Sequence, residues 1–76
     1  MPIDICVRVG RRIRVLRTEH GWTQAMLADH AGIAREHLSE IERGNKELGL
    51  RTLDRLAKAL DTMPAQLLES PRSDTK

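Results

Sequence analysis

An all-α bundle of five helices is the fold class predicted by this 76-residue chain. Three observations carry it. There is no tyrosine and no phenylalanine, and β-branched residues do not gather into runs, so nothing reads as a strand. Apolar residues return at three- and four-residue spacing, the period of a helix with one buried face. Glycines and capping residues divide that pattern into five segments.

Ile5, Val9, Ile13 and Leu16 predict a first helix from about Asp4 to His20, with Asp4 as its N-cap and Gly21 just past its end. Thr23 caps a second helix, where Trp22 and Leu27 occupy the two positions of a hydrophobic staple and Leu27, Ala28 and Ala31 form the inner face. Gly32 supplies the positive φ that a tight turn needs. Ile33 and Leu38 form a second staple around a third helix, Ala34–Arg43, which Gly44 ends; Ala34 is a poor cap. After the polar loop Gly44–Gly49, Leu50, Leu53, Leu56, Ala57 and Leu60 mark a fourth helix. Pro64 opens a short fifth, with Leu67 and Leu68 facing inward. From Ser70 onward the composition is polar. The chain therefore divides into a folded domain, 1–69, and a flexible tail, 70–76.

Size and composition exclude several classes. Seventy-six residues make one domain, near the lower limit for a core that folds unaided, so stability must come from good helix packing or a second copy of the chain. Cys6, the single cysteine, cannot form an internal disulfide and reads as packing; no Cys/His spacing suits zinc, and His20 and His30 read as surface residues. No metal or cofactor is expected. Pro2, Asp4 and Arg8 interrupt any signal-peptide core, and no apolar run is long enough to span a bilayer, so a cytoplasmic protein without membrane or small-molecule partners is expected. The chain has no nucleophile–base pair and no Gly-rich phosphate loop, which argues against an enzyme.

Net charge is only +2, but Arg8, Arg11, Arg12, Arg14 and Arg17 lie in one stretch without an acid among them. Such a cluster suits a polyanion, because arginine forks onto phosphates and base edges; a merely solvated helix face explains it equally well.

Residues 21–44 place two short amphipathic helices across the Gly32 turn, the arrangement of a helix-turn-helix whose second helix can enter a DNA major groove. Leu38 and Ile41 turn to the core, which leaves Arg35, Glu36, Ser39, Glu40 and Arg43 on the opposite face. Arg35 can donate two bonds to guanine O6 and N7, and Glu36 or Glu40 can accept from cytosine N4. The alternative is that Glu36 complements the helix dipole and Glu40 pairs with a neighbouring arginine. Two carboxylates facing phosphate cost affinity, so their presence favours selectivity over strength.

Thr23-Gln24, Leu27-Ala28, Gly32-Ile33 and Leu38-Ser39-Glu40-Ile41-Glu42-Arg43-Gly44 closely resemble the helix-turn-helix of the lambda-repressor-like, Cro/xenobiotic-response-element family of regulators. The resemblance runs from about Val9 to Leu68 and implies double-stranded DNA as the partner. It assigns Gln24, at the first turn of the second helix, to gripping a phosphate and bracing the recognition helix, and Arg43, Asn45 and Lys46 to further phosphate contacts; His37 either reaches a phosphate or packs at the rim. It also implies a partly buried ion pair between Arg17 and Glu42. The family's usual Ser or Thr cap is missing at Ala34. Many relatives carry proline where Leu48 stands and serine where Gly49 stands. The present version is more similar to the controller proteins of restriction-modification systems, short dimeric regulators.

A homodimer on a (pseudo)palindromic operator is expected, because one recognition helix touches too few base pairs to find a site, and two-fold dimers space half-sites roughly 34 Å apart. Leu48, Leu50, Met63, Leu67 and Leu68 offer the apolar material, unless all five serve the core. Two other readings stay open at this stage: the antitoxin of a toxin–antitoxin pair, against which the short tail argues, and a protein-interaction module that has lost DNA binding.

Overall fold

The computed structural model describes residues 3–69; the polar tail expected from Ser70 onward lies outside them. Five helices follow in order: α1 Ile5–Glu19, α2 Gln24–Ala31, α3 Arg35–Glu42, α4 Leu50–Ala59 and α5 Pro64–Leu68. Every one of them lies within a residue or two of the expected bounds, and no strand occurs among the described residues.

The ends form as their residues dictate. Asp4 caps α1 by accepting from Cys6 N–H at 2.9 Å, and Thr23 caps α2 by accepting from Met26 N–H at 3.1 Å. Gly32 closes α2 with φ +71°, and its N–H returns to Asp29 O. Ala34 takes the extended geometry of an N-cap but makes no side-chain bond there. At α5, Pro64 stands in the first turn and Gln66 Oε1 reaches back to Met63 N–H at 3.3 Å while also accepting from the Thr62 hydroxyl.

α1 packs on α3 and α5, α2 on α3 and α4, and α4 on α5. Val9 and Ile13 of α1, Leu27, Ala28 and Ala31 of α2, Leu38 and Ile41 of α3, Leu53, Leu56 and Ala57 of α4, and Leu60 and Leu67 form one core. Trp22, Ile33 and Leu48 pack against it from the margin. Two expectations need correcting. Leu67 is fully buried, so it belongs to the core and is closed to a dimer contact; Leu68, expected to face inward with it, is 41% exposed. Consecutive helical residues point about 100° apart, so a five-residue helix cannot turn both inward.

The crossing of α1 over α3 depends on Gly10. A Cβ there would stand 2.2 Å from Ile41 O and 3.0 Å from Glu42 O. Only a residue without a side chain allows α1 this close to the C-terminal carbonyls of α3.

Candidate nucleic-acid interface

α3 is held from beneath. Leu38 and Ile41 are buried, and beside them lies the Glu42 carboxylate, itself buried. Arg17 meets it as a fork: Nε donates to Oε2 at 2.7 Å and Nη2 to Oε1 at 3.0 Å. The third guanidinium nitrogen, Nη1, donates to Trp22 O at 2.8 Å. Gln24 Nε2 adds a bond to Glu42 Oε1 at 3.0 Å. One carboxylate thus ties α3 to α1, to the α1–α2 connection and to the first turn of α2. The ion pair implied by resemblance is present, and Gln24 is engaged as a brace.

The opposite face of α3 is open. Arg35, Glu36 and Arg43 are exposed; Ser39 and Glu40 are half-exposed. Arg35 Nη2 and Glu36 Oε2 approach only to 3.7 Å, a loose pair in water. At the other end, Arg43 Nη2 donates to Ser39 Oγ at 3.1 Å and lies 3.5 Å from Glu40 Oε2, while Asn45 Nδ2 donates to Glu40 Oε1 at 3.3 Å. The five residues expected to face DNA do share one side of one helix. Asn45 joins them from the loop. Lys46 is exposed further along it, and His37 is half-buried.

The arginine cluster of α1 divides. Arg17 belongs to the ion pair and Arg8 is half-buried, which leaves Arg11, Arg12 and Arg14 exposed. Helical spacing sets Arg14 near the side of α1 that Gly10 and Arg17 turn to α3, and carries Arg12 well round to the far side.

A second surface holds an apolar groove that reaches α3 at Ile41. Ile5, Cys6, Val9, Leu48, Leu50, Leu53 and Leu68 line this groove of about 250 Å³ with Lys46 and Glu47 at its rim. Leu50, the first residue of α4, is 83% exposed, and Met63 is 65% exposed. Of the residues expected at a dimer contact, Leu48, Leu50 and Leu68 meet at this groove; Met63 is exposed, without lining it, and Leu67 is in the core.

Sequence reasoning missed two features. Gly10 carried a signal, since a glycine within a helical pattern usually has a packing reason. The ring cluster of His20, Trp22 and His30 carried none. Trp22 lies with ring centroids 4.7 Å from His20 and 4.3 Å from His30, and each Nδ1 lies 2.8 Å from a carbonyl of its own helix, Leu16 O and Met26 O. A carbonyl only accepts, so each contact is a hydrogen bond in the tautomer that carries the proton on Nδ1. No group of His, Cys, Asp and Glu among the described residues is arranged to hold a metal ion, and no described helix is long and apolar enough to cross a membrane.

A short helix braced from below and open above, joined by a tight turn to a preceding helix, defines a helix-turn-helix domain. The chain belongs to the helix-turn-helix family of the xenobiotic-response-element, lambda-repressor-like type; the family model, described as "Helix-turn-helix", matches residues 13–67. It is 37% identical over 59 residues to the competence pilus inhibition repressor of Acinetobacter baylyi, covering 78% of this chain and 54% of that protein, so it spans about half of that relative's length. The structure of the restriction-modification controller protein C.AhdI from Aeromonas hydrophila is similar with a TM-score of 0.79 at 39% identity, covering 82% of this chain and 94% of that one. SinR, the master regulator for biofilm formation, solved in complex with DNA, is similar with a TM-score of 0.77 at 34% identity, covering 80% of this chain and 98% of that one. The relatives are transcription regulators, controller proteins among them.

Proposed function

We propose that the chain is a sequence-specific regulator of transcription that binds double-stranded DNA as a homodimer on a two-fold symmetric operator, in the manner of a restriction-modification controller protein. The observation that carries this reading is the two-sided character of α3. Its inner side is locked by Leu38, Ile41 and the Arg17–Glu42–Gln24 bonds, while its outer side presents Arg35, Glu36, Ser39 and Glu40 to solvent. Such rigidity lowers the entropy lost when side chains are ordered against base edges. Arg35 is assigned to guanine; Gln24, at the first turn of α2, together with Lys46 and His37, is assigned to flanking phosphate contacts that set register. The chemistry is binding rather than catalysis, and the site of action is the cytoplasm, where the operator lies.

Dimerisation is assigned to the groove around Leu48, Leu50 and Leu68, with Met63 beside it. A leucine as exposed as Leu50, lining an apolar groove, fits an isologous contact in which the same patch of each copy meets the other. The structural similarity to C.AhdI, at 39% identity, supports the controller assignment.

In-vitro selection from a random duplex library tests the proposal, followed by titration of the selected site and a scrambled duplex at two salt concentrations. Enrichment of a two-fold symmetric site, bound more weakly as salt rises, is the expected result. Equal binding of selected and scrambled duplexes would overturn it.

A further inference from the structure

The sequence leaves Glu36 and Glu40 equal as readers of cytosine, and groups Arg43 and Asn45 with the phosphate contacts. The geometry separates them. Glu36 has only the loose approach of Arg35, at 3.7 Å, and its side chain is 81% exposed. Glu40 is held from two sides: Asn45 Nδ2 donates to Oε1 at 3.3 Å, and Arg43 Nη2 stands 3.5 Å from Oε2. Its side chain is 38% exposed, open on the outer face of α3 yet restricted in direction.

We infer that Glu40 is the residue that reads a cytosine in the operator, and that Arg43 and Asn45 are positioning residues that act through it. The inference rests on the proposed binding of α3 in the major groove. A carboxylate carried towards DNA meets two obstacles, repulsion from phosphates and the loss of side-chain freedom on docking. The guanidinium of Arg43 offsets the first, and the bond from Asn45, together with that ion pair, reduces the second. Cytosine is favoured over adenine, although both present an amino group. Beside N6, adenine offers the acceptor N7, which repels a carboxylate, whereas cytosine offers none beside N4. Ser39 completes the match. Its Oγ accepts from Arg43 Nη2 at 3.1 Å, which leaves its own proton to donate to the guanine of the same pair.

An exposed pair of this kind adds little to folding stability, so its work shows in base preference and leaves melting almost unchanged. That separates the positioning role from a structural one. Dissociation constants for the selected site, and for its three single-pair variants at the position in question, are measured for the wild type and for Glu40→Gln, Asn45→Ala, Arg43→Ala and Arg43→Lys, with thermal melting as control. The wild type is expected to prefer C·G by about 5- to 150-fold. Glu40→Gln removes that preference. Asn45→Ala and Arg43→Ala weaken it, and neither has a further effect on preference in the Glu40→Gln background. Arg43→Lys keeps the charge but loses the planar guanidinium whose Nη2 meets both Ser39 Oγ and Glu40 Oε2, so it also weakens the preference. Loss of affinity spread equally over all four pairs, with preference intact and the salt slope lower by about 1 for Arg43→Ala, would make these residues phosphate anchors and overturn the inference. A wild type without preference at any position overturns the proposed function as well, so the two failures are distinct.

Discussion

Glu42 is the charged side chain that ties α3 to both α1 and α2. It is the buried charged residue among the described residues, and three donors from Arg17 and Gln24 converge on its two oxygens. Deleting it strands the Arg17 guanidinium at a half-buried position, so Glu42→Ala is expected to cost about 3–5 kcal/mol in urea unfolding; an unchanged midpoint would mean that the pair contributes nothing. Cys6 gives a prediction of another kind. Partial burial, then the Asp4 and Glu47 carboxylates, push its thiol above the usual range. A raised thiol holds less thiolate at neutral pH, so alkylation by iodoacetamide should run slower than for an unstructured cysteine and accelerate as the solution is made alkaline. The Arg17–Glu42 pair was legible only through resemblance, because nothing in local spacing links residues 25 positions apart. The Gln24 bond to the same carboxylate shows that one side chain can be named correctly from sequence while the atoms it serves stay hidden.

Each helix owes its bounds to local chemistry and its placement to close approaches. Gly10→Ala should improve the intrinsic propensity of α1 by about 1 kcal/mol. It should nevertheless destabilise the protein by about 2 kcal/mol or more, since the added Cβ meets backbone oxygen at 2.2 Å and cannot rotate away; a mutant melting at or above the wild type would refute the close approach of α1 to α3. The opposite sign is expected at Ala34. The backbone there has N-cap geometry, φ −69° and ψ 143°, without a side-chain bond. A hydroxyl in that place satisfies an open N–H of α3, and Ala34→Ser should raise stability by about 1 kcal/mol, or roughly 4–8 °C in melting temperature. Helix starts and stops were readable because caps and glycines act on their immediate neighbours, as Asp4, Thr23 and Gly32 do. The crossing of α1 over α3 was not, since it joins Gly10 to carbonyls some thirty residues on.

At the scale of the whole molecule, the proposed dimer contact rests on the groove that Leu50 lines. Leu50→Asp places a charge where the proposed contact buries an apolar side chain, and sedimentation should show dimer giving way to monomer while circular dichroism stays that of the folded chain. Operator binding should weaken at the same protein concentration, since two half-sites are no longer engaged together. A variant that remains dimeric would move the interface elsewhere. Helical periodicity, capping residues and turn glycines were enough for five helices, their order and the outward face of α3, because these depend on residues within a turn or two of one another. They could not sort the leucines of α4 and α5. Leu67 and Leu68 are adjacent and alike in the sequence, yet one is fully buried and the other 41% exposed; Leu50 continues the apolar series of α4 and is 83% exposed. A five-residue helix makes less than two turns, too few to define a face by period, and the first residue of α4 lies beyond the surface that its neighbours cover. Which apolar side chain is core and which is free for a partner depends on what packs over it, and that is set by the angles and separations of helices distant in the chain.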